Sequence, residues 1–358
     1  MKKIYFTVGP SELFPNVKSY IKESIENDIC SINHRGKEFA QILQHTISSL
    51  KKLLNVPEDF YIFFISSATE AMERLIENCV ERHSCHFVNG AFSSRFFSIA
   101  QQLKKSPEKA EVPFGKGFDF SKIQIPQNSE LLCFTQNETS IGTAVDMEDI
   151  YRIKRAASKK FIAMDIVSSV PYIDVDYSLV DCSFFSVQKG FGMPAGLGVL
   201  IVNDKMVKKS FLLKDKGLNV GSYHSFPSLL SSSNNSQTPE TPNALSIHIL
   251  GRVCDDMLSI GLEKIRNETE EKAMLFYDFF DSHNKLKPFV QKNQKNDWRS
   301  KTTLVIKTPN GSKEVIDKLL ENGFAVSSGY GEFKDIHIRI ANFPAHKVKD
   351  VERLLMLL

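Results

Sequence analysis

Residues 183–192 read SFFSVQKGFG, an apolar run from Ser183 to Val187 that breaks into Gln188-Lys189-Gly190. A short, uninterrupted apolar run suits a strand buried on both faces, as in parallel sheets covered by helices. Similar runs lie upstream at Tyr61 to Ile65, Cys85 to Val88, Glu130 to Phe134 and Phe161 to Met164, and downstream at Gly196 to Val202. Helical periods fall between several of them. From Gly36 to Val56, Phe39, Leu43, Leu50 and Leu53 lie on one helical stripe, which Pro57 ends. Thr69 to Val80, Phe92 to Leu103 and Met147 to Ala157 read the same way. This alternation predicts an α/β chain with a mainly parallel sheet. Ligands bind outside the carboxyl ends of such strands, so the residues following each run are the ones to weigh.

At about 150 residues per domain, a chain of 358 residues favours two domains. Apolar residues at 42% and charged residues at 24% match ordinary globular usage, which argues against disorder, collagen and coiled coil. Lys and Arg (45) nearly balance Asp and Glu (42), and a net charge of +3 points to no nucleic-acid partner. No apolar run reaches the roughly 18 residues of a membrane helix, and the apolar stretch Ile4 to Val8 is too short for a secretory signal. A cytoplasmic protein with reduced thiols is expected, since the six cysteines form no CxxC pair.

The character changes at Ser231 to Asn243, SSSNNSQTPETPN, whose composition favours a solvent loop. A long helical region follows to about residue 285. Beyond it, Thr302 to Lys307, Phe324 to Ser327 and Asp335 to Ala341 read as strands, and Ser312 to Glu321 and His346 to Leu358 as helices. That makes a compact α+β unit. The expected domains are 15–250 and 251–358, with residues 1–14 joining the second.

Six places stand where chemistry would sit. Lys189 follows a buried strand, where partial desolvation would make its amine nucleophilic; taken singly, it reads more simply as a solvated loop lysine. Asp165 ends the run FIAMD and fits a cofactor site or a loop hydrogen bond equally well. Ser66-Ser67-Ala68-Thr69-Glu70 opens a helix, which suits a phosphate cradle, a capping box, or both. Asn137-Glu138-Thr139 and Phe92 follow two further runs; Phe92 is placed to stack on a planar ring or to fill the core. In DIHIRIA, Ile336, Ile338 and Ile340 share the inward face, so Arg339 points away, into a cleft or a surface salt bridge. Neither GxGxxG nor a P-loop occurs. His83-Ser84-Cys85-His86 opens a strand, where neighbours face opposite ways, so no metal site is expected.

Together these pieces resemble the class V aminotransferases, and within them the branch acting on phosphoserine. The resemblance runs over nearly the whole chain: FTVGPSEL near the start, NHRGKEF at 33–39, NETSIGTAV at 137–145, the Asp165 strand, VQKGFG at 187–192 and RIANFPA at 339–345. It implies the fold type I architecture, a large domain with a mainly parallel seven-stranded sheet plus a smaller α+β C-terminal domain, and pyridoxal 5′-phosphate as cofactor. Carried over, Lys189 is the Schiff-base lysine and proton shuttle, and Asp165 pairs with the pyridine nitrogen. Thr139 lies against the ring oxygen, Phe92 stacks on the ring, and Gln188 with the backbone of Ala68 and Thr69 grips the phosphate. Arg339 takes the substrate α-carboxylate, and His34 and Arg35 read its phosphate or side chain. The resemblance also implies a homodimer in which Thr238 reaches the partner's cofactor phosphate. The substrates implied are an amino acid and a 2-oxo acid, with no nucleic-acid or membrane partner.

Two departures stand out. Gln237-Thr238-Pro239 replaces the usual Asn-Thr-Pro. The segment Gly329-Tyr330-Gly331-Glu332-Phe333-Lys334 lacks the extra His-Arg or Arg of phosphoserine enzymes. Arg35 and Lys334 must then supply the phosphate charge, or the substrate carries no phosphate, as in serine or alanine transaminases using glyoxylate or pyruvate. A cysteine desulfurase is disfavoured, because no cysteine follows Cys254. A non-catalytic relative would lack the lysine.

Overall fold

The computed structural model describes residues 3–292 and 297–358. Its strands, in chain order, are β1 (Ile4–Phe6), β2 (Phe60–Ile65), β3 (His83–Val88), β4 (Ser106–Glu111), β5 (Leu131–Thr135), β6 (Asn137–Glu138) and β7 (Thr143–Ala144). They continue with β8 (Phe161–Asp165), β9 (Cys182–Ser186), β10 (Gly198–Asn203), β11 (Lys287–Pro288), β12 (Thr303–Lys307), β13 (Phe324–Ser328) and β14 (His337–Ala341).

Seven strands form the large sheet in the order β2-β10-β9-β8-β5-β3-β4. Within this sheet only β10 runs antiparallel to its neighbours. The carboxyl ends of β2, β3, β5, β8 and β9 therefore share one edge. Every expected apolar run falls on one of these strands, because both faces of the sheet are covered. In β2, Ile62 and Phe64 enter one core with the helices Lys37–Leu53 and Ala244–Ile260. Phe63 and Ile65 enter the other with the helices Ala68–Cys79 and Ala91–Gln102. That alternation is the pleat expressed in packing.

The edge strand β4, SPEKAE, carries no apolar run and lay outside the sequence reading. Its charged, exposed residues blunt the sheet edge against further pairing. The second sheet has five strands, β1-β13-β14-β12-β11, around a separate core that includes Phe6, Phe276, Ile338 and Ile340. The expected inward face of β14 needs one correction. Ile336 is 49% exposed because it precedes the strand, whereas Ile338 and Ile340 are fully buried. The long helical region is two helices, Ala244–Ile260 and Leu262–Ser282, separated by Gly261 at φ +88. The polar stretch 231–243 is not the free solvent loop its composition favours, since Thr238 is only 5% exposed. Among the described residues no helix is long and apolar enough to cross a membrane.

Candidate active site

Three neighbouring strand ends meet around Lys189. β9 leads into Val187-Gln188-Lys189, and Gly190 then packs so tightly that a Cβ there would lie 1.9 Å from Val170 O. Only glycine lets the chain turn at that point. The Gly9 backbone approaches from the N-terminal segment, where a Cβ would come within 2.9 Å of Lys189 Cε. Lys189 is buried, and its Nζ donates to Thr139 Oγ1 at 2.8 Å. Burial pushes the amine's pKa below that of an ordinary lysine; Asp165 opposes this and Arg339 adds to it. A desolvated amine held by a hydroxyl is suited to nucleophilic attack.

Asp165 ends β8 and is also buried. Its Oδ1 accepts from Val167 N at 2.9 Å. Burial drives its pKa up, against the Val167 hydrogen bond and the charge of Lys189. A buried carboxyl with so few partners is suited to a cationic group brought in beside it.

The third strand end is β5, which runs into the small hairpin of β6 and β7. Thr139 Oγ1 donates to Ser168 Oγ at 2.8 Å, and Ser168 Oγ donates to Asn137 O at 2.9 Å. Between them Glu138 is fully buried. Its carboxylate accepts from Phe92 N at 3.1 Å, Ser93 N at 2.9 Å, Ser93 Oγ at 2.9 Å and Ser140 Oγ at 2.6 Å. A carboxylate at a helix N-terminus satisfies free N–H groups and complements the dipole. It thereby fixes Phe92, whose ring centre lies 5.2 Å from Lys189 Nζ and 5.5 Å from the Tyr330 ring.

The start of helix Ala68–Cys79 is the expected cradle. Ser67 Oγ accepts from Glu70 N at 3.2 Å, so the expected cap is present. The Ala68 N–H is engaged by Ser186 Oγ at 2.8 Å, while Thr69 is exposed. Glu70 turns back to accept from Ser66 N at 2.8 Å and Ser66 Oγ at 2.6 Å, and it pairs with His224 Nδ1. His224 Nε2 meets Glu240 at 2.9 Å, and Thr238 Oγ1 donates to Glu240 O at 2.7 Å. The Thr238 segment is thus tied to the cradle. Gln188 Oε1 is a buried polar atom with no partner.

Arg339 is half-buried, and its Nε donates to Ser328 O at 2.9 Å. Arg35 stands apart from this group: its Nη1 donates to Gln237 Oε1 at 2.7 Å, beside Thr238. His34 is half-buried in the same turn. The structure therefore gathers Lys189, Asp165, Thr139, Phe92 and Arg339 at one place and links Arg35 to the Thr238 segment. Sequence reasoning missed Ser168, Arg95, Tyr330 and the Glu70–His224–Glu240 bridge. Only Arg95 carried a local signal, lying three residues after Phe92 on one helix.

A buried amine beside a strand-end carboxyl, a helix start open to an anion, an aromatic ring and an unpartnered amide fit a phosphorylated pyridine aldehyde. The family model Aminotransferase class-V matches residues 7–333. The chain is a class-V aminotransferase. As such it is a transaminase that works with pyridoxal phosphate, and its α/β fold is that of solved pyridoxal phosphate aminotransferases. A phosphoserine aminotransferase from Cytophaga hutchinsonii is 43% identical to this aminotransferase, covers 99% of this chain and 98% of its own, and superposes with a TM-score of 0.96. The phosphoserine aminotransferase of Rhodococcus opacus is 24% identical over 354 residues, 98% of this chain and 92% of its own. An alanine–glyoxylate aminotransferase from Nostoc sp. shares the fold, with a TM-score of 0.84 at 19% identity, over 100% of this chain and 94% of its own.

Proposed function

We propose that this aminotransferase exchanges the amino group of phosphoserine with 2-oxoglutarate. The observation that carries the reading is its 43% identity to a phosphoserine aminotransferase over 99% of the chain, set against 19% for the alanine–glyoxylate enzyme. When bound, pyridoxal phosphate supplies an aldehyde that takes up the amino group and a ring that draws electrons from Cα. Lys189 holds the cofactor and moves the proton at the substrate Cα. Asp165 keeps a positive charge on the ring nitrogen, which its burial and sparse hydrogen bonding favour. Thr139 meets the ring oxygen and keeps Lys189 aligned. Phe92 holds the ring plane.

Gln188 and the backbone of Ala68 and Thr69 would hold the phosphate, at the helix start where the Ala68 N–H now donates to Ser186 Oγ. Arg339 takes the α-carboxylate. The chain acts as a homodimer in the cytoplasm, where Thr238 of each subunit serves the other's cofactor phosphate, and His34 and Arg35 read the substrate side chain. We assign residues 15–250 to a large cofactor-binding domain and 251–358, with 1–14, to a small one. β1, which pairs with β13, supports the second grouping.

A second reading, a serine or alanine transaminase, draws on the 329–334 segment. Its one basic residue, Lys334, is exposed, and the neighbouring Glu332 is an acid, so the segment adds no buried cation to the site. A panel of half-reactions separates the two readings. The loaded enzyme is mixed with phosphoserine, glutamate, serine or alanine, and amino-group transfer to the cofactor is followed by absorbance. Phosphoserine and glutamate react fastest under the first reading; faster turnover of alanine or serine overturns it.

A further inference from the structure

Two guanidinium groups converge on one phenol at the site. Arg95 lies three residues after Phe92 on helix Ala91–Gln102, a spacing that sets the two side by side. Its Nη2 donates to the Tyr330 hydroxyl at 3.2 Å, and its Cζ stands 5.3 Å from the Phe92 ring centre. Arg339 comes from β14 in the second sheet, with its Cζ 5.3 Å from the Tyr330 ring centre. Both arginines are half-buried, and among the described residues neither pairs with a carboxylate. Glu138, whose charge reaches Arg339, is already engaged by the Phe92, Ser93 and Ser140 donors. Partly buried cations without counter-ions favour anionic ligands. Two such cations side by side favour a ligand with two anionic groups.

The 329–334 segment is built to present Tyr330 rather than a cation. Phe333 stacks on His337 with ring centres 4.8 Å apart and packs against Phe289 at 5.2 Å. With Phe333 anchored, Glu332 and Lys334 lie at the surface and Tyr330 turns toward Phe92. The charge missing from this segment is supplied by the helix that carries Phe92. A transaminase must also accept two different amino acids in one site, one after the other. In phosphoserine the phosphorus, and in glutamate the δ-carbon, lies the same number of bonds from Cα. One fixed guanidinium can serve both.

We infer that Arg95, held by Tyr330, reads the distal anion of both amino-acid substrates while Arg339 takes the α-carboxylate. This rests on the phosphoserine and 2-oxoglutarate reading above and adds to the His34 and Arg35 pair proposed there a fixed cation next to Phe92. The direct test uses inert probes: glutarate, which has two carboxylates, and valerate, which has one, are titrated calorimetrically into the cofactor-loaded enzyme. Wild type prefers glutarate, and Arg95→Met cuts that preference roughly 100-fold, as expected for a partly buried charge pair losing one member. Arg95→Lys keeps the charge without the planar fork and cuts it about tenfold.

The kinetic counterpart is the ratio of kcat/KM for phosphoserine, and separately for glutamate, to that for alanine. Both ratios fall in Arg95→Met. Tyr330→Phe, which removes only the hydroxyl, lowers them less. A preference for glutarate that survives Arg95→Met overturns the assignment, as does an equal loss for alanine. Should Arg95→Met fail to fold, the intermediate loss in Arg95→Lys carries the test, and wild-type behaviour there overturns the assignment. If wild type ignores phosphoserine but uses glutamate, the phosphoserine reading fails, and the glutamate-to-alanine ratio still decides the role of Arg95.

Discussion

Lys189 Nζ donates a 2.8 Å hydrogen bond to Thr139 Oγ1. This amine is thus hydrogen-bonded to a hydroxyl rather than ion-paired to a carboxylate. Burial favours the neutral nucleophile, and it outweighs the nearby charge of Asp165, which favours the protonated form. Lys189→Ala therefore slows amino-group transfer by at least about 1,000-fold, the range of a lost acid–base group. Single-turnover kinetics with glutamate measure this. A rate within about tenfold of wild type removes Lys189 from the chemistry.

Asp165 is expected to act on cofactor retention before it acts on rate. Asp165→Asn leaves the shape and removes the charge, so the loaded enzyme releases pyridoxal phosphate roughly 10- to 100-fold more readily, the worth of one charged hydrogen bond. Dialysis followed by quantitation of the remaining cofactor reads it directly. Wild-type retention would place the acid away from the ring nitrogen.

Glu138 is expected to matter for stability as much as for catalysis. Glu138→Gln leaves one acceptor oxygen where two carboxylate oxygens served backbone and hydroxyl donors. Unpaired buried donors at a helix start cost about 2–4 kcal/mol, enough to lower Tm by several degrees. Scanning calorimetry tests this. Gly90→Ala should act likewise, because its Cβ would fall 2.3 Å from Glu138 Cγ.

His224 gives a pH signature. Burial alone would lower its pKa, but hydrogen bonds to Glu240 and Glu70 outweigh that and raise it to about 9. Its folded value thus lies above that of an ordinary histidine, near 6.5. The stabilisation is complete below that value and fades as pH rises through about 9. Glu70 behaves oppositely. Burial alone raises its pKa, and His224 and Ser66 hold it down to about 2, so its share is lost only as pH falls toward that value. His224→Phe should lower Tm at pH 7 by several degrees, reflecting about 2 kcal/mol. The gap from wild type should shrink by pH 10. A gap unchanged between these pH values would show that the bridge carries no charge.

Arg339→Lys should raise KM about tenfold for every amino acid tested, because an ammonium cannot reproduce the guanidinium fork. Steady-state kinetics with phosphoserine, glutamate and alanine check it. An effect confined to one substrate would mean that Arg339 reads a side chain instead.

Much of the frame was legible because buried strands announce themselves as apolar runs, and the chemistry sits just beyond their ends. Lys189 and Asp165 could be picked out for that reason, and the Ser67 cap for its local spacing. What stayed hidden depends on residues far apart in sequence. His224 meets Glu70 across 154 positions, and Arg95 meets Tyr330 across 235. No local period encodes such pairs. β4 escaped because an exposed edge strand needs polar side chains, which erase the apolar signature. The polar stretch around Thr238 misled for a related reason: its composition suits water, but bonds to Glu240 and His224 draw it inward.

The register partners of β1 are Phe324, Ala325 and Val326, far along the chain from Ile4–Phe6. The segment that follows it lies over the lysine turn, with Ser11 N on Gln188 O at 3.2 Å and Phe14 N on Gly192 O at 2.8 Å. A contact of such sequence separation forms late, after the loop between its ends has been closed. The cover over the Lys189 turn is anchored in the second sheet, although the turn itself hangs from the first, and whatever loosens β1 from β13 bares the lysine.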